Sequence, residues 1–264
     1  MSASDDARVL VRLLWRHRVG DPRTPRRGPR QRVTVDGVIR AAIDLADARD
    51  LAAVSMRALA DRMGVGPMSL YTYVPNRDAL VALMIDEVAA EDRPFDLGQA
   101  PDLDEAVAAI GRALRDEHAR HPWLLDASRW RSVLGPHRLA RFDRQLALLE
   151  AHPLTDVERD RVISLVTDLA AGSAREARDA GWEVARSGMS DSEWWDVVGP
   201  ELDAVIGDGE FPLAGRVGSV VGQLYEGPGD TAGAFEFGLA CIVDGVRALL
   251  AGRVRGVGTS DVTH

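Results

Sequence analysis

The chain has 264 residues, 46% of them hydrophobic, and is long enough to bury a substantial core. Its formal net charge of −9 argues at first against a nucleic-acid partner, because phosphates are bound by positive charge. The single cysteine, Cys241, excludes an internal disulfide framework, and its apolar neighbours predict a packed thiol. The sequence contains no uncharged apolar run of about 18 residues. We therefore expect no membrane partner and a cytoplasmic location.

The charge is distributed unevenly along the chain. Residues 1–80 carry 14 arginines against 9 acidic residues, residues 81–264 are strongly acidic, and there is no lysine. Such asymmetry indicates a nucleic-acid partner for the basic part. We predict that residues 1–32 form a flexible basic arm; a solvated, disordered tail without a DNA contact is the alternative.

Four helices are predicted between residues 33 and 91. Thr34 is a suitable N-cap for the first, whose apolar residues recur at helical spacing. Ser55 caps the second, which ends at Gly64, where glycine can adopt the left-handed conformation of a tight turn. The third is short, from Gly66 or Pro67 to Tyr73, and Asn76 caps the fourth.

The rest of the chain is also predicted to be helical. After a linker at residues 93–101, we expect helices at 103–120, 137–151, 156–179, 190–206 and 231–251, with a short turn at 123–131. The glycine-rich segment 207–229 is predicted to be a mobile loop, and residues 252–264 a flexible tail. The fold class is therefore all-α.

The second and third helices have the outline of a helix-turn-helix, in which the second helix of the motif enters the major groove of DNA. Apolar residues on both helices are expected to hold them at a steep angle. The remaining face of the third helix carries no carboxylate, as a surface beside phosphates requires, and Arg57 and Arg77 flank it. The alternative is a helical hairpin whose tyrosines are half-buried. The face comprises Pro67, Met68, Ser69, Tyr71, Thr72 and Tyr73.

The sequence resembles the tetracycline-repressor family of bacterial transcription regulators. The resemblance rests on "LADRMGV", "SLYTYV" and "NRDAL" in this order within residues 33–88, and on "FEFGLACIVDGVRALLA", which is similar to the last helix of the family's ligand-binding domain. It implies base contacts for Arg57, Pro67, Met68 and Ser69, and phosphate contacts for Ser55, Tyr71, Tyr73 and Arg77. The chain lacks the long side chain that some members carry near Gly66 and Pro67, so base reading is expected to depend more on Arg57 and on DNA shape.

Two further contacts are expected. Arg26, Arg27 and Arg30 precede the first predicted helix and could lie in the adjacent minor groove, whose negative potential attracts arginine. One short helix reads only a few base pairs, so a homodimer on a palindromic operator is predicted, with the C-terminal helix at its interface. Burial of that helix within one chain is the alternative, because buried helices are also apolar all round. The predicted interface residues are Phe235, Leu239, Ile242, Val246 and Leu249.

A small-molecule effector is expected in the acidic helical domain, because ligand cavities are mostly apolar and aromatic with a few polar groups. Glu117, His118 and His121 do not match a metal-ligand spacing, so we predict no metal and no cofactor. No set of acid, base and nucleophile indicates an enzyme. The candidate ligand residues are Trp123, Trp130, Arg131, Phe142, Asp179 and Trp182.

The sequence thus predicts an all-α regulator with a helix-turn-helix DNA-binding domain at residues 33–80 and a helical ligand-binding and dimerisation domain at residues 81–251. We expect a homodimeric repressor that a small molecule releases from double-stranded DNA. A helical small-molecule-binding or scaffold protein without a specific DNA target is the alternative.

Overall fold

The computed structural model describes residues 3–19, 33–91, 95, 101–127, 133–206, 210–225 and 227–257. Within these ranges the chain forms twelve α-helices and two 3-10 turns, and it forms no strand. The helices are α1 (Ala3–Leu14), α2 (Arg16–Val19), α3 (Val35–Ala48), α4 (Met56–Met63), α5 (Pro67–Tyr71), α6 (Arg77–Val88), α7 (Leu103–Arg120), α8 (Pro136–Leu149), α9 (Asp156–Ser187), α10 (Asp191–Val205), α11 (Pro212–Tyr225) and α12 (Thr231–Val257). The 3-10 turns are Ala89–Glu91 and Pro122–Asp126. The all-α prediction is confirmed.

Side-chain caps fix the beginnings of three helices in the N-terminal part. The side chain of Thr34 accepts the Gly37 N–H at the start of α3, and Ser55 Oγ accepts the Ala58 N–H at 3.2 Å at the start of α4. Asn76 Oδ1 accepts the Ala79 N–H at 2.8 Å at the start of α6. Each cap satisfies a backbone donor that the first helical turn leaves unpaired. The caps predicted from the sequence are confirmed.

Gly64 makes the turn between α4 and α5. Its φ of 67° and ψ of 35° lie in the left-handed region, and its N–H points to the carbonyls of Ala60 and Asp61. The Val65 N–H then donates to the Ala60 carbonyl at 3.0 Å, which closes the end of α4. The chain can therefore start α5 at Pro67, only three residues after the turn.

Replacing Gly64 by alanine is expected to lower the free energy of unfolding by about 1 kcal/mol, because an L side chain is strained in the left-handed region. No atom lies within 4 Å of an added Cβ, so conformational strain is the whole effect. Urea denaturation measures the loss. Asparagine, which adopts this conformation more readily, should lose less than alanine; an equal loss would contradict the explanation.

The N-terminal segment differs from the prediction. Residues 3–19 form α1 and α2 instead of a flexible arm, because Leu13 and Leu14 are buried in the core that α3 and α6 share. Arg16 is buried and pairs with Asp36 on α3 and, at 3.7 Å, with Glu87 on α6. Burial alone would raise the pKa of Asp36, but the hydrogen bond and charge of Arg16 lower it. Arg26, Arg27 and Arg30 lie outside the described residues.

The chain divides into two compact units, residues 1–165 and 166–264. The first unit contains the segment predicted to bind DNA together with the two helices that follow it, α7 and α8. Helices α3, α4, α5 and α6 share one hydrophobic core with α1 and with Trp123 and Leu124 from the turn after α7. The DNA-binding helices are thus held by residues that lie on both sides of them in the sequence.

The second unit contains most of α9 and all of α10, α11 and α12. Helix α11 occupies part of the segment 207–229, so the prediction of a loop there is wrong for residues 212–225. Helix α12 continues to Val257, so residues 252–257 are helical and not a flexible tail. None of the helices in the described part of the chain is long and apolar enough to cross a membrane.

Helix α12 has a buried side and an exposed side. Phe235, Leu239 and Val246 are buried within the chain, whereas Phe237 is 73% exposed. The first three therefore belong to the core of the unit and not, as predicted, to an interface. Of the predicted interface residues, Ile242 is half-buried and Leu249 is exposed. The thiol of Cys241 is also exposed, against the prediction of a packed cysteine.

Candidate nucleic-acid interface

Helices α4 and α5 form the predicted helix-turn-helix. Leu59, Leu70 and Val74 are fully buried and fix α5 against the rest of the core. Met63 and Val65 pack at the edge of the same core and are partly buried. Helix α5 ends at Tyr71, two residues earlier than predicted, and Tyr73 follows in a turn in which its N–H donates to the Leu70 carbonyl. The short helix is therefore stable because of packing and not because of its own length.

The outer face of α5 carries no charged residue. Met68 is 77% exposed and Tyr71 is 44% exposed, and Pro67 and Ser69 are also exposed. Helix α5 contains no acidic residue. Tyr73 is half-buried against the core, so for this tyrosine the structure agrees with the alternative of core packing. The exposed face is able to approach DNA without repulsion from carboxylates.

Arg57 is the second residue of α4 and is exposed. It forms no ion pair or side-chain hydrogen bond with any other residue that the structure describes. The five N–H donors of its guanidinium are thus available for a base edge or a phosphate. Ser55 lies two residues before it, and its hydroxyl oxygen is engaged as the cap of α4.

Arg77 makes contacts within the protein that the sequence did not predict. Its Nε donates to the Val54 carbonyl at 2.9 Å and its Nη2 donates to the Leu51 carbonyl at 2.6 Å. These bonds join the start of α6 to the loop between α3 and α4. Because the guanidinium satisfies two carbonyls of this loop, Arg77 positions α4 within the domain.

The predicted ligand residues do not form one site. Trp123 is buried in the core that contains the DNA-binding helices, and its indole Nε1 donates to Asp47 Oδ1 at 2.8 Å. Phe142 is half-buried on α8. In the second unit, Trp182 and Asp179 are exposed on α9, where Trp182 stacks under Arg178. Trp130 and Arg131 lie outside the described residues.

A groove that was not predicted lies between α10 and α11. Its volume is about 560 Å³, and Trp195, Leu202 and Phe211 supply much of its apolar surface. Polar groups come from Asp203, Ser219 and Gln223. The signal in the sequence was the recurrence of Gly215, Gly218 and Gly222, which places them on one face of a helix. From sequence alone, these glycines favour a loop.

The residues considered for a metal are engaged by other protein groups. His118 Nδ1 lies 2.6 Å from the Leu114 carbonyl, and Glu117 pairs with Arg141. His121 lies between two carboxylates. In the described ranges, no group of three or more histidine, cysteine, aspartate or glutamate side chains could hold a metal ion.

Comparisons with known proteins identify the family. Residues 38–84 match the model "Bacterial regulatory proteins, tetR family", and residues 97–250 match "Tetracyclin repressor-like, C-terminal domain". The HTH-type transcriptional repressor DrrR1 of Streptomyces coeruleorubidus is 35% identical over 257 residues, which cover 96% of this chain and 90% of that protein. The TetR family protein ActR of Streptomyces coelicolor, solved in complex with (S)-DNPA, is 26% identical with a TM-score of 0.63 over 84% of this chain and 99% of its own. A second ActR structure, in complex with actinorhodin, gives a TM-score of 0.62 at 26% identity over 85% of this chain and 99% of that one. The chain therefore belongs to the TetR family of DNA-binding transcriptional regulators.

Proposed function

We propose that the protein is a homodimeric repressor that binds a palindromic operator through α4 and α5 and leaves it when a small molecule binds the helical C-terminal domain. The observation that carries the proposal is the exposed, acid-free face of α5, which Leu70 holds rigidly against the core. We further propose that it acts in the cytoplasm and without catalytic activity. Ligand would favour a dimer in which the two copies of α5 no longer match consecutive major grooves.

The dimer is supported by the exposed side of α12. A five-residue helix reads only a few base pairs, so two copies about 34–36 Å apart, or a multiple of this, are needed for specificity. Phe237, Cys241 and Gly245 follow one another at four-residue intervals and are all exposed, and Leu249 continues the row. We propose that this row packs against its copy in a second chain, where the glycine allows a close approach.

The proposed dimer interface can be tested by introducing a charged side chain into this row. Phe237→Glu should make the protein monomeric at micromolar concentration, because a carboxylate cannot be buried in an apolar interface without a partner. Analytical ultracentrifugation measures the oligomeric state. The control is Phe211→Glu, at an exposed phenylalanine in the groove between α10 and α11. A dimeric Phe237→Glu protein would contradict the proposed interface.

The effector site is proposed to be the groove between α10 and α11. Its volume lies in the range of small-molecule pockets, about 300–1,000 Å³, and it combines aromatic and apolar surface with a few polar groups. ActR, a relative, has been solved with (S)-DNPA and with actinorhodin. We propose an aromatic effector, with Trp195 against its ring. Trp195→Ala should weaken the response to such a compound and leave operator binding intact.

The function is tested by selecting bound duplexes from a random pool with the purified protein. A palindromic consensus whose affinity falls steeply with salt would support the proposal, because phosphate contacts release counterions. A protein that enriches no sequence would favour the alternative, a helical ligand-binding or scaffold protein without a DNA target. The N-terminal arm is tested on the selected duplex by changing Arg26, Arg27 and Arg30 to glutamine, which should reduce the salt dependence. Substitution is preferable to deletion, because α1 is part of the core.

A further inference from the structure

A histidine lies between two carboxylates at the end of α7, beside the DNA-binding domain. His121 Nδ1 is 2.8 Å from Asp47 Oδ1, near the end of α3, and His121 Nε2 is 3.1 Å from Glu91 Oε2, in the turn after α6. His121 itself ends α7, where its backbone N–H donates to the Glu117 carbonyl. The side chain is almost fully buried. One imidazole therefore connects α3, α6 and α7.

Both carboxylates have a second partner in the cluster. The indole Nε1 of Trp123 donates to the same oxygen of Asp47, and Arg120 Nη1 donates to Glu91 Oε2 at 3.0 Å. The carboxylate nearest in sequence, Glu117, is turned away and pairs with Arg141 on α8. The described charged groups that act on the imidazole are thus Asp47 and Glu91, with Arg120 acting through Glu91.

The protonation state of His121 decides whether both bonds exist. An imidazolium donates from both nitrogens, whereas a neutral imidazole has one N–H and one lone pair. In the neutral form, one of the two carboxylates would face a lone pair at about hydrogen-bond distance, which is repulsive. Hydrogen bonds from His121 to both carboxylates therefore require the imidazolium form.

We propose that His121 is a pH-sensitive latch that fixes the end of α3 to the turn after α7 and releases it when the imidazole loses its proton. Loss of the proton leaves Trp123 packed but removes one of the two bonds of the imidazole, to Asp47 or to Glu91, so His121 no longer connects α3 with the turn after α6. The start of the helix-turn-helix is then less firmly positioned, and operator affinity falls. The group that titrates is part of this chain, so the response needs no effector.

The direction of the pH dependence follows from the same contacts. Burial alone would lower the pKa of His121, but the hydrogen bonds and charges of Asp47 and Glu91 outweigh it and raise the pKa above its ordinary value of 6.5. A histidine whose folded-state pKa is raised stabilises the fold fully below the unfolded-state pKa, and this contribution is lost as the pH rises through the folded-state pKa. The latch should therefore be fully closed below about pH 6.5, the ordinary pKa of histidine, and should open as the pH rises through the folded-state pKa of His121, which lies above this value.

The test is hydrogen exchange of the full-length protein between pH 6 and 8.5, corrected for the intrinsic pH dependence of exchange. We expect protection of residues 41–48 and 122–126 to fall as the pH rises in the original protein, and to be low and independent of pH in His121→Gln. Asp47→Asn keeps one carbonyl oxygen, which can still accept from His121 and Trp123, but it removes the charge, so its transition should move to lower pH. This second variant gives a result even if His121→Gln folds poorly.

The matched control is His17→Gln. His17 is exposed and pairs with Asp36 on α3 at 3.3 Å, but it does not join α3 to the turn after α7. The change of protection with pH should therefore remain in this variant. The proposal would be overturned if protection in the original protein did not change with pH. It would also be overturned if the change with pH persisted in His121→Gln. Affinity for the selected operator should fall about fivefold or more across the same pH range. The affinity measurement rests on the proposed function, whereas hydrogen exchange does not. A failure of the latch can therefore be distinguished from a failure of the proposed function.

Discussion

Replacing Arg57 by alanine is expected to weaken operator binding about tenfold or more and to leave the stability of the protein unchanged. A bidentate contact between arginine and guanine contributes about 1–3 kcal/mol of discrimination, and a dimer would lose two such contacts. The stability should not change, because Arg57 is exposed and has no side-chain partner in the part of the chain that the structure describes. Fluorescence anisotropy with the selected operator and thermal unfolding measure the two quantities.

Two variants separate a direct contact from general effects of charge or folding. Arg216→Ala removes the same charge from an exposed position on α11 and should leave the affinity unchanged. Arg77→Gln should lose about 2 kcal/mol of stability, because two loop carbonyls lose a charged donor. If Arg57→Ala bound as tightly as the original protein while Arg77→Gln remained fully stable, the roles assigned to these two arginines would be wrong.

The features that were predicted correctly depend on residues close together in the sequence. Ser55 and Asn76 cap helices through donors three residues later, and Gly64 closes a turn with carbonyls three and four residues earlier. The buried positions of α4 and α5 follow from helical periodicity. Local spacing was therefore sufficient to predict the helix-turn-helix and most helix limits in the described part of the chain.

The features that were missed depend on residues far apart in the sequence. Arg77 bonds to carbonyls 23 and 26 residues earlier, and no local pattern distinguishes this from a phosphate contact. Asp86 on α6 accepts the N–H of Arg138 at the start of α8, where the preceding Gly135 has no capping side chain. A methyl group on Gly135 would overlap the carboxylate of Asp86, so the glycine is required by a contact made 49 residues away.

Helix α12 shows a second reason for error. A helix that is apolar on more than one side can pack within its own chain, against a partner, or both, and periodicity does not decide which side does which. The structure assigns Phe235 and Leu239 to the core and leaves Phe237 exposed. Three of the five residues predicted for an interface, Phe235, Leu239 and Val246, therefore lie on the buried side of this helix. The surface that is available for a second chain is the row that begins at Phe237.

Replacing Trp123 by alanine is expected to lower the free energy of unfolding by about 3–5 kcal/mol, which is the usual cost of removing a buried tryptophan. Trp123 is only 2% exposed, packs in the core that holds α3 to α6, and donates a hydrogen bond to Asp47. Its removal would leave a cavity and would also take one donor from Asp47. Urea denaturation measures the loss, and the same variant should weaken operator binding because α3 is no longer fixed.

Two other variants show whether Trp123 acts through packing or through a ligand. Trp123→Phe keeps most of the apolar volume and removes the N–H, so it should cost only about 1 kcal/mol, the usual net contribution of one hydrogen bond, because Asp47 is accessible to water and keeps its bond to His121. Trp182→Ala, at a tryptophan that is 59% exposed, should change the stability by less than about 1 kcal/mol. The sequence predicts both tryptophans as residues of an effector site. If Trp123→Ala were as stable as Trp182→Ala but lost its response to an effector, the sequence prediction would be correct, and the packing role that the structure gives to Trp123 would be wrong.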